Sequence, residues 1–487
     1  MSRGVRTTLH QVDLAAFRRV QRTSTPRLDV VMPRLTHAAD HGRLWFAIAL
    51  ALGTAGDRFG RRAALRGLLA LGVTSAVANG PLKWWARLTR PALADVPVLR
   101  QIKSTPWTTS FPSGHSASAA AFATGAALER PDLAIPLGAL AAGVGYSRVH
   151  VGVHYPGDVL AGAAIGAGVA IATRRFWPVA PHEAAAVRRH AAAHADVALP
   201  TGDGLSIALN PDAGPALSST PGERLQAALP QVDLVEVRDG GQLPEVLAKA
   251  ATGARAIGVV GGDGSVNCAA RVAVEAQLPL VVVPGGTLNH FARDVGVLDL
   301  DDAVGAVTRG EVASVDVATI AGQVFVNTAS FGSYAELVDA RERLESSVGK
   351  WPAVAVALWR VLRHSTPVEV ELDGRHRRIW MIFIGNCRYH PSGFAPSWRE
   401  RLDDGQLDVR VVDAGSPFAR TRLLVSVLTG RLGRSRVYEQ RLTRELRVRS
   451  RQGPLRLARD GETFDGPEEF TVAKSTTPLL VYAPADA

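Results

Sequence analysis

Cysteine is nearly absent: Cys268 and Cys387 are the two in 487 residues. Two thiols cannot make a disulfide framework, and no Cys/His spacing has the form of a zinc site. Basic and aromatic residues do not interleave as in nucleic-acid binders, so nucleic acid is not an expected partner. No internal repeat and no long low-complexity tract occurs. No signal peptide is read, because the first apolar run begins only near Leu44. Acidic residues are scarce in one place only. Up to Ser110 there are 17 Lys and Arg against 5 Asp and Glu, whereas the remainder holds 38 against 40. The excess of +10 therefore belongs wholly to the first segment. Beside apolar runs, that charge points to anionic headgroups or phosphate substrates.

The chain is long enough for two or three domains. Residues 1–42 form a polar, Arg-rich arm, either an interfacial amphipathic helix carrying Leu14, Phe17 and Val20 or a solvated tail. Apolar segments follow near Leu44–Leu52, Leu65–Leu82, Ser113–Leu128, Leu133–Tyr146 and Val159–Thr173. Several fall short of the ~20 residues of a spanning helix. Five in succession, rich in Ala and Gly and flanked by Arg61, Arg62, Arg174 and Arg175, predict an all-α membrane helix bundle over 43–178. After a connector over 179–203, strand-like LSIAL, VDLVEV, AIGVV and LVVV alternate with helical patterns. They predict an α/β nucleotide-binding lobe over 204–311. Strand-like runs then dominate 312–487, a mainly β-sandwich lobe expected to close with LLVYA.

Three polar clusters sit at the ends of the N-terminal apolar runs: KWWARLTRP with Lys83 and Arg90, PSGH with Ser113, Gly114 and His115, and SRVHVGVHYPGD with Arg148, His154 and Asp158. A phosphate monoester is transferred chiefly by positioning and charge neutralisation. Lys83, Arg90 and Arg148 can neutralise it, and Ser113 with the amides of Ser113 and Gly114 can donate to it. A neutral imidazole at His154 can attack phosphorus while Asp158 holds its other nitrogen. His115 can protonate the leaving alkoxide. No metal is needed for this scheme.

These clusters resemble the signature of the type 2 phosphatidic acid phosphatase superfamily, the lipid phosphate phosphatases: Lys-x6-Arg-Pro, Pro-Ser-Gly-His, Ser-Arg-x5-His-x3-Asp. Every position is filled, over about residues 40–175. The resemblance implies a phosphohistidine at His154 and leaving-group protonation by His115. All three clusters fall on one membrane face. The positive-inside tendency makes loop 57–62 cytoplasmic, so the phosphatase pocket should face outward and the C-terminal domain inward, in a multi-pass plasma-membrane protein.

Further on, AIGVV runs into Gly261-Gly262-Asp263-Gly264-Ser265, and a second glycine turn, PGGTLNHFARD, follows another strand. Asn210 ends the first strand of that domain. Glycines let amides approach phosphates, and carboxyl ends of neighbouring strands are where such sheets bind ligands. The set resembles the diacylglycerol kinase catalytic family, from about Leu205 to Tyr482. The resemblance implies ATP contacts at Asn210, Gly261, Gly262, Asp263, Gly264, Ser265, Gly286 and Thr287, with Mg²⁺ as ATP's partner ion. It implies Glu462, in Asp460-Gly461-Glu462, as base toward a lipid hydroxyl. It also implies a structural magnesium at Asp403, Asp404 and Asp408. Two departures stand out: Cys268 where the family has Glu, and His290 where it has Asp.

The leading expectation is a bifunctional enzyme acting on membrane lipids and ATP. A second reading keeps the phosphatase and makes residues 200–487 a non-catalytic nucleotide- or lipid-sensing module. An NAD kinase shares the first glycine loop but not the second. No feature speaks for an oligomer, and none specifies the lipid tail.

Overall fold

The structure, a computed structural model, describes residues 3–83, 88–92, 94, 96–102, 109–181, 183–190, 197–209, 220–286, 289–332, 366–393 and 396–485. Its two compact units are Met1–Ala180 and Pro181–Ala487. Asn210 and Thr287 lie outside the described residues.

Among its described residues, the first unit is helical: α1 (Arg3–Arg22), α2 (Pro26–Ala38), α3 (Arg43–Thr54), α4 (Arg58–Val77), α5 (Gly114–Glu129), α6 (Ala134–His150) and α7 (Pro156–Ala172). Local signals place several starts. Asp57 caps α4 by accepting from the Gly60 amide, and Pro156 opens α7 where its missing N–H costs nothing. α5 packs closely on α4 and α7. A Cβ on Gly162 or Gly166 would run into the carbonyls of Ser113 or Ala117, so these small residues set the approach of α7 to α5.

One helical stretch among the described residues, Pro156–Arg175, is long and apolar enough to cross a membrane, and only 28 % of its apolar window is buried. The other apolar runs form shorter helices or, in α4, carry arginines.

The arm 1–42 is neither a separate interfacial helix nor a solvated tail. α1 and α2 pack on the bundle, with Phe17 fully buried. Gln21 Nε2 donates to the Val149 carbonyl at 2.7 Å, and the Gly157 amide donates to Asp13 Oδ1 at 2.7 Å. Asp29 takes Arg100 Nε at 2.8 Å and lies 2.9 Å from His150 Nε2. A sequence pattern could not reveal these partners, which are more than 70 residues away.

At the other end of the bundle, the fully buried Arg66 and Glu129 pair at 2.7 Å, and Arg62 joins at 2.9 Å. Arg66 also donates to Thr173 Oγ1 and to the Trp177 and Pro178 carbonyls. Removing one partner of such a pair strands a buried charge. Glu129→Ala is expected to cost about 3–5 kcal/mol of stability. Denaturation of the detergent-solubilised variant measures it, and a loss below about 1 kcal/mol would show that the pair is solvated.

Among its described residues, the second unit holds two large sheets and a two-stranded ribbon, Tyr389–His390 with Trp398–Arg399. Strands Leu205–Leu209, Asp233–Glu236, Ala256–Gly261 and Leu280–Pro284 are parallel neighbours, as the strand–helix alternation predicts. The full order, with seven strands, is 188–190, 312–315, 479–482, 280–284, 256–261, 205–209, 233–236. Three expectations change here. The final strand Leu479–Tyr482 inserts between 280–284 and 312–315 rather than closing the β lobe. Val312–Val315 belongs to the α/β sheet, and Arg188–His190, inside the expected connector, is its edge strand. Periodicity specifies that a segment is a strand but not which neighbour completes its hydrogen bonds. The other sheet has 11 strands, all of whose pairings are antiparallel, over a core that includes Phe325, Phe331, Ile382, Val409 and Leu457.

Candidate active sites

In the first unit, the loop between α6 and α7 carries His154, and the first turn of α7 carries Asp158. Both are buried. His154 Nδ1 lies 3.5 Å from Asp158 Oδ2, which also accepts from the Tyr155 amide at 3.0 Å and from Ser110 Oγ. The other ring nitrogen, Nε2, stands 3.3 Å from Arg90 Nη1. One imidazole nitrogen thus faces a carboxylate and the other a guanidinium, as required of a nucleophile whose target is an anion.

Arg148, on α6, is buried; its Nη1 donates to Thr36 Oγ1 at 3.2 Å, while Nε has no hydrogen-bond partner among the described residues. A buried guanidinium N–H left unsatisfied is unfavourable unless an anion completes it. Lys83 lies within electrostatic reach of Arg90 and Arg148, and His115 within reach of Arg148 and His154. The three sequence clusters therefore converge.

Ser113 caps α5, as expected of a residue at the start of an apolar helix. Its amide, however, donates to the Asp158 carbonyl at 3.0 Å and is not available to a phosphate. The α5–α7 contact takes that donor, leaving the Gly114 amide and the Ser113 hydroxyl. Two contributors went unread in the sequence. Ser110 lies just before the Pro-Ser-Gly-His cluster. Asp40, in the turn after α2, has Oδ1 2.8 Å from His115 Nε2. His150, for which the sequence assigned no role, is buried against Asp29.

In the second unit, Gly262 precedes helix Asp263–Ala276 with extended geometry, presenting the first amides of that helix at the carboxyl end of strand Ala256–Gly261. The second glycine turn packs directly against it. The Gly285 amide donates to the Gly261 carbonyl at 2.9 Å, and a Cβ on Gly286 would collide with Gly262 Cα. Asn289, at φ 48°, closes that turn by accepting from the Gly286 amide and donating to its carbonyl. Asp263 Oδ1 accepts from the Phe291 amide at 3.3 Å. Gly264 and Ser265 follow in the first turn of the helix.

The Asp460-Gly461-Glu462 turn joins these loops through Asn267, whose Nδ2 donates to the Asp460 carbonyl at 3.2 Å. Asp460 is half-buried and accepts from the Val326, Asn327 and Thr328 amides at 2.8–2.9 Å. Burial pushes its carboxyl up to about 6 even so. Glu462 is 62 % exposed and lies 3.8 Å from Arg459. It reaches Cys268 electrostatically, and burial raises the thiol of that cysteine. The departure at Cys268 thus adjoins the expected base. The second departure, His290, stands beside Asp263. Arg399, unremarked in the sequence, is buried and holds Asp294 of the second glycine turn, Asn327 Oδ1 and the Val326 carbonyl. No motif marks it.

The acidic turn does not fit a structural magnesium ion. Asp408 is committed to Arg410, Gln440 and the Tyr389 amide, and Asp403 to Arg401. Among the described residues, only Asp404 of the three joins another potential group, with Asp316 and Cys387. A cation already stands there: Lys474 Nζ lies 2.9 Å from Asp316 Oδ2, 2.6 Å from Asn386 Oδ1 and 3.4 Å from Cys387 Sγ. Burial pushes the Cys387 thiol up to about 12, which keeps it from acting as a thiolate ligand at neutral pH.

Comparison with known proteins agrees with this division. The PAP2 superfamily profile matches residues 63–180, the diacylglycerol kinase catalytic domain 205–320, and the YegS C-terminal NAD kinase beta sandwich-like domain 329–480. A Pseudomonas savastanoi protein named Probable lipid kinase YegS-like is 30 % identical over 244 residues, 49 % of this chain and 78 % of the relative. A Bacillus anthracis diacylglycerol kinase structure is 20 % identical at TM-score 0.41, covering 58 % of this chain and 97 % of that one. The transmembrane PAP2 type phosphatidylglycerolphosphate phosphatase of Bacillus subtilis is 25 % identical at TM-score 0.28, covering 34 % and 83 %.

Proposed function

Because this chain belongs to the diacylglycerol kinase family in its second unit and carries a PAP2-superfamily domain in its first, we propose that it is a bifunctional membrane lipid enzyme. Its first site removes phosphate from a lipid phosphate, phosphatidate-like or isoprenoid. Its second transfers phosphate from MgATP to a lipid alcohol of the diacylglycerol class.

The observation that carries the first half is the pairing of His154, between Asp158 and Arg90, with the orphaned N–H of Arg148. In the proposed reaction His154 Nε2 forms a bond to phosphorus as the bond to the lipid oxygen breaks. His115 gives its proton to that oxygen. Water then attacks the phosphohistidine, returning a proton to His115 and releasing inorganic phosphate. The second half rests on the contact of the two glycine turns and their link through Asn267 to the turn that presents Glu462. There the amides of the first loop would hold the ATP phosphates, and Glu462 would take the proton of the attacking lipid hydroxyl.

Membrane residence is part of this proposal. Phe46, Leu50, Leu65, Leu69, Ile135, Leu160 and Ile171 point outward from α3, α4, α6 and α7, supporting a lipid-facing, multi-pass bundle. The proposed topology has the phosphatase pocket outward and the kinase unit cytoplasmic. The alternative, a kinase-like sensing module, is motivated by Cys268 and His290.

The test uses full-length protein in detergent micelles, assayed for phosphate release from phosphatidate and for ATP-dependent phosphorylation of diacylglycerol, each with and without EDTA. Phosphate release is expected to persist in EDTA and phosphorylation to stop. A protein that transfers phosphate to no lipid alcohol sinks the kinase half; phosphate release that EDTA abolishes sinks the metal-free phosphatase scheme.

A further inference from the structure

Segment 417–438 carries Arg420, Arg422, Arg431, Arg434 and Arg436 and no acidic residue. Its helix, Ala419–Leu428, is anchored on one side only, through Ala419 and Leu423 against Trp380, Val412 and Val437. The opposite side shows Phe418 at 81 % exposure, Leu424 at 44 %, Val425 at 52 % and Leu428 at 68 %. Residues 418 and 425 are seven apart and 424 and 428 four apart, so they form one stripe. Arg431, Arg434 and Arg436 are exposed just beyond the helix end.

Four large apolar side chains left in water are unfavourable, and no contact among the described residues of this unit requires them there. An apolar stripe whose segment carries charge of one sign only, positive, is complementary to an anionic lipid surface, with acyl chains for the stripe and phosphates for the guanidiniums. A second copy of this surface would bring five arginines against five. We propose that this helix docks the kinase unit onto an anionic bilayer surface, where its lipid alcohol is drawn. This deepens the kinase reading, although the docking itself can be measured without turnover.

The probe is the full chain with Cys268→Ala and Val425→Cys, labelled with an environment-sensitive dye in nanodiscs. Dye emission is expected to shift blue in phosphatidylglycerol-containing nanodiscs. In pure phosphatidylcholine it should remain water-like. Arg431→Ala with Arg434→Ala should weaken the shift about tenfold or more as a function of phosphatidylglycerol fraction. Emission that stays water-like in anionic nanodiscs overturns the proposal. So does a shift independent of lipid charge, which would indicate burial against protein. If docking is observed but no lipid is phosphorylated, the kinase reading fails and the docking surface stands.

The contact of Asp40 with His115 carries a second inference, which rests on the phosphatase reading. The geometry points to Asp40 as a positioning residue for the acid. Its Oδ1 lies on His115 Nε2 at 2.8 Å, while Oδ2 holds His37 Nδ1 at 3.0 Å. His115 Nδ1 makes no hydrogen bond among the described residues. With Nε2–H tied to a carboxylate, the ring delivers its other proton, from Nδ1, to the leaving oxygen. The site then contains two carboxylate–imidazole pairs, and one carboxylate comes from residues ahead of the matched PAP2 region.

Leaving-group chemistry separates positioning from structure. 4-Nitrophenolate departs without a proton, whereas a lipid alkoxide does not. Asp40→Asn is expected to lower kcat on phosphatidate by about 10–100-fold with little change in KM, and to leave 4-nitrophenyl phosphate hydrolysis within about twofold. Asp40→Glu should recover part of the loss. An equal fall on both substrates, or none on either, overturns the inference. A wild-type enzyme hydrolysing neither would instead overturn the phosphatase reading.

Discussion

His154→Ala is expected to lower phosphate release from phosphatidate by at least about 10³-fold and to leave ATP-dependent lipid phosphorylation at the wild-type rate. The first effect follows from chemistry: without the imidazole no nitrogen remains between Asp158 and Arg90 to attack phosphorus. Removing Asp158 should be milder, since it only orients the ring and stabilises its charge. The second effect follows from separation, because the kinase loops are built entirely within the other unit. Trapping of radiolabelled phosphate on enzyme denatured at alkaline pH, where a phosphohistidine survives, present in wild type and missing in His154→Ala, reads the covalent intermediate directly. A variant that still hydrolyses at the wild-type rate would make His154 structural.

Glu462→Gln is expected to lower lipid phosphorylation by about 10²–10⁴-fold, the range for a lost general base, with KM for ATP nearly unchanged. The side chain is exposed and its one ion pair is long, so folding should be unaffected. Its neighbour Asp460 offers the contrasting case. That half-buried carboxylate holds three amides, and its loss would lower both activity and stability. Equal kcat in wild type and Glu462→Gln would remove the base from this turn.

Much of both sites was legible because phosphate chemistry demands particular residue types at short, recognisable spacings. Lys83, Arg90, His115, Arg148, His154 and Asp158 stand in three local clusters, and the glycine loops each follow a strand. What could not be read depends on partners distant in the chain. Asp40 lies 75 residues from His115, and Arg399 lies 105 from Asp294. Neither sits in a pattern that announces a role. The acidic turn shows the reverse error. Its carboxylate spacing suggests an oxygen cage, yet Arg410, two residues along the same strand, pairs with Asp408, and Lys474, from a distant strand, pairs with Asp316 beside Asp404.

By itself the sequence determined the order of the domains, the helical character of the first and the strand–helix alternation of the second, because hydrophobic period and glycine placement are local properties of a chain. It also pointed to phosphate chemistry, since the candidate nucleophile, acid and cations stand in three short clusters. Only the tertiary structure decided which strand closes the α/β sheet, that the basic arm belongs to the helical bundle and supplies Asp40, and that a lysine stands on Asp316 and Cys387, which group with Asp404 of the acidic turn. Each depends on which distant groups satisfy buried hydrogen bonds and charges, and that pairing exists only once the chain has folded.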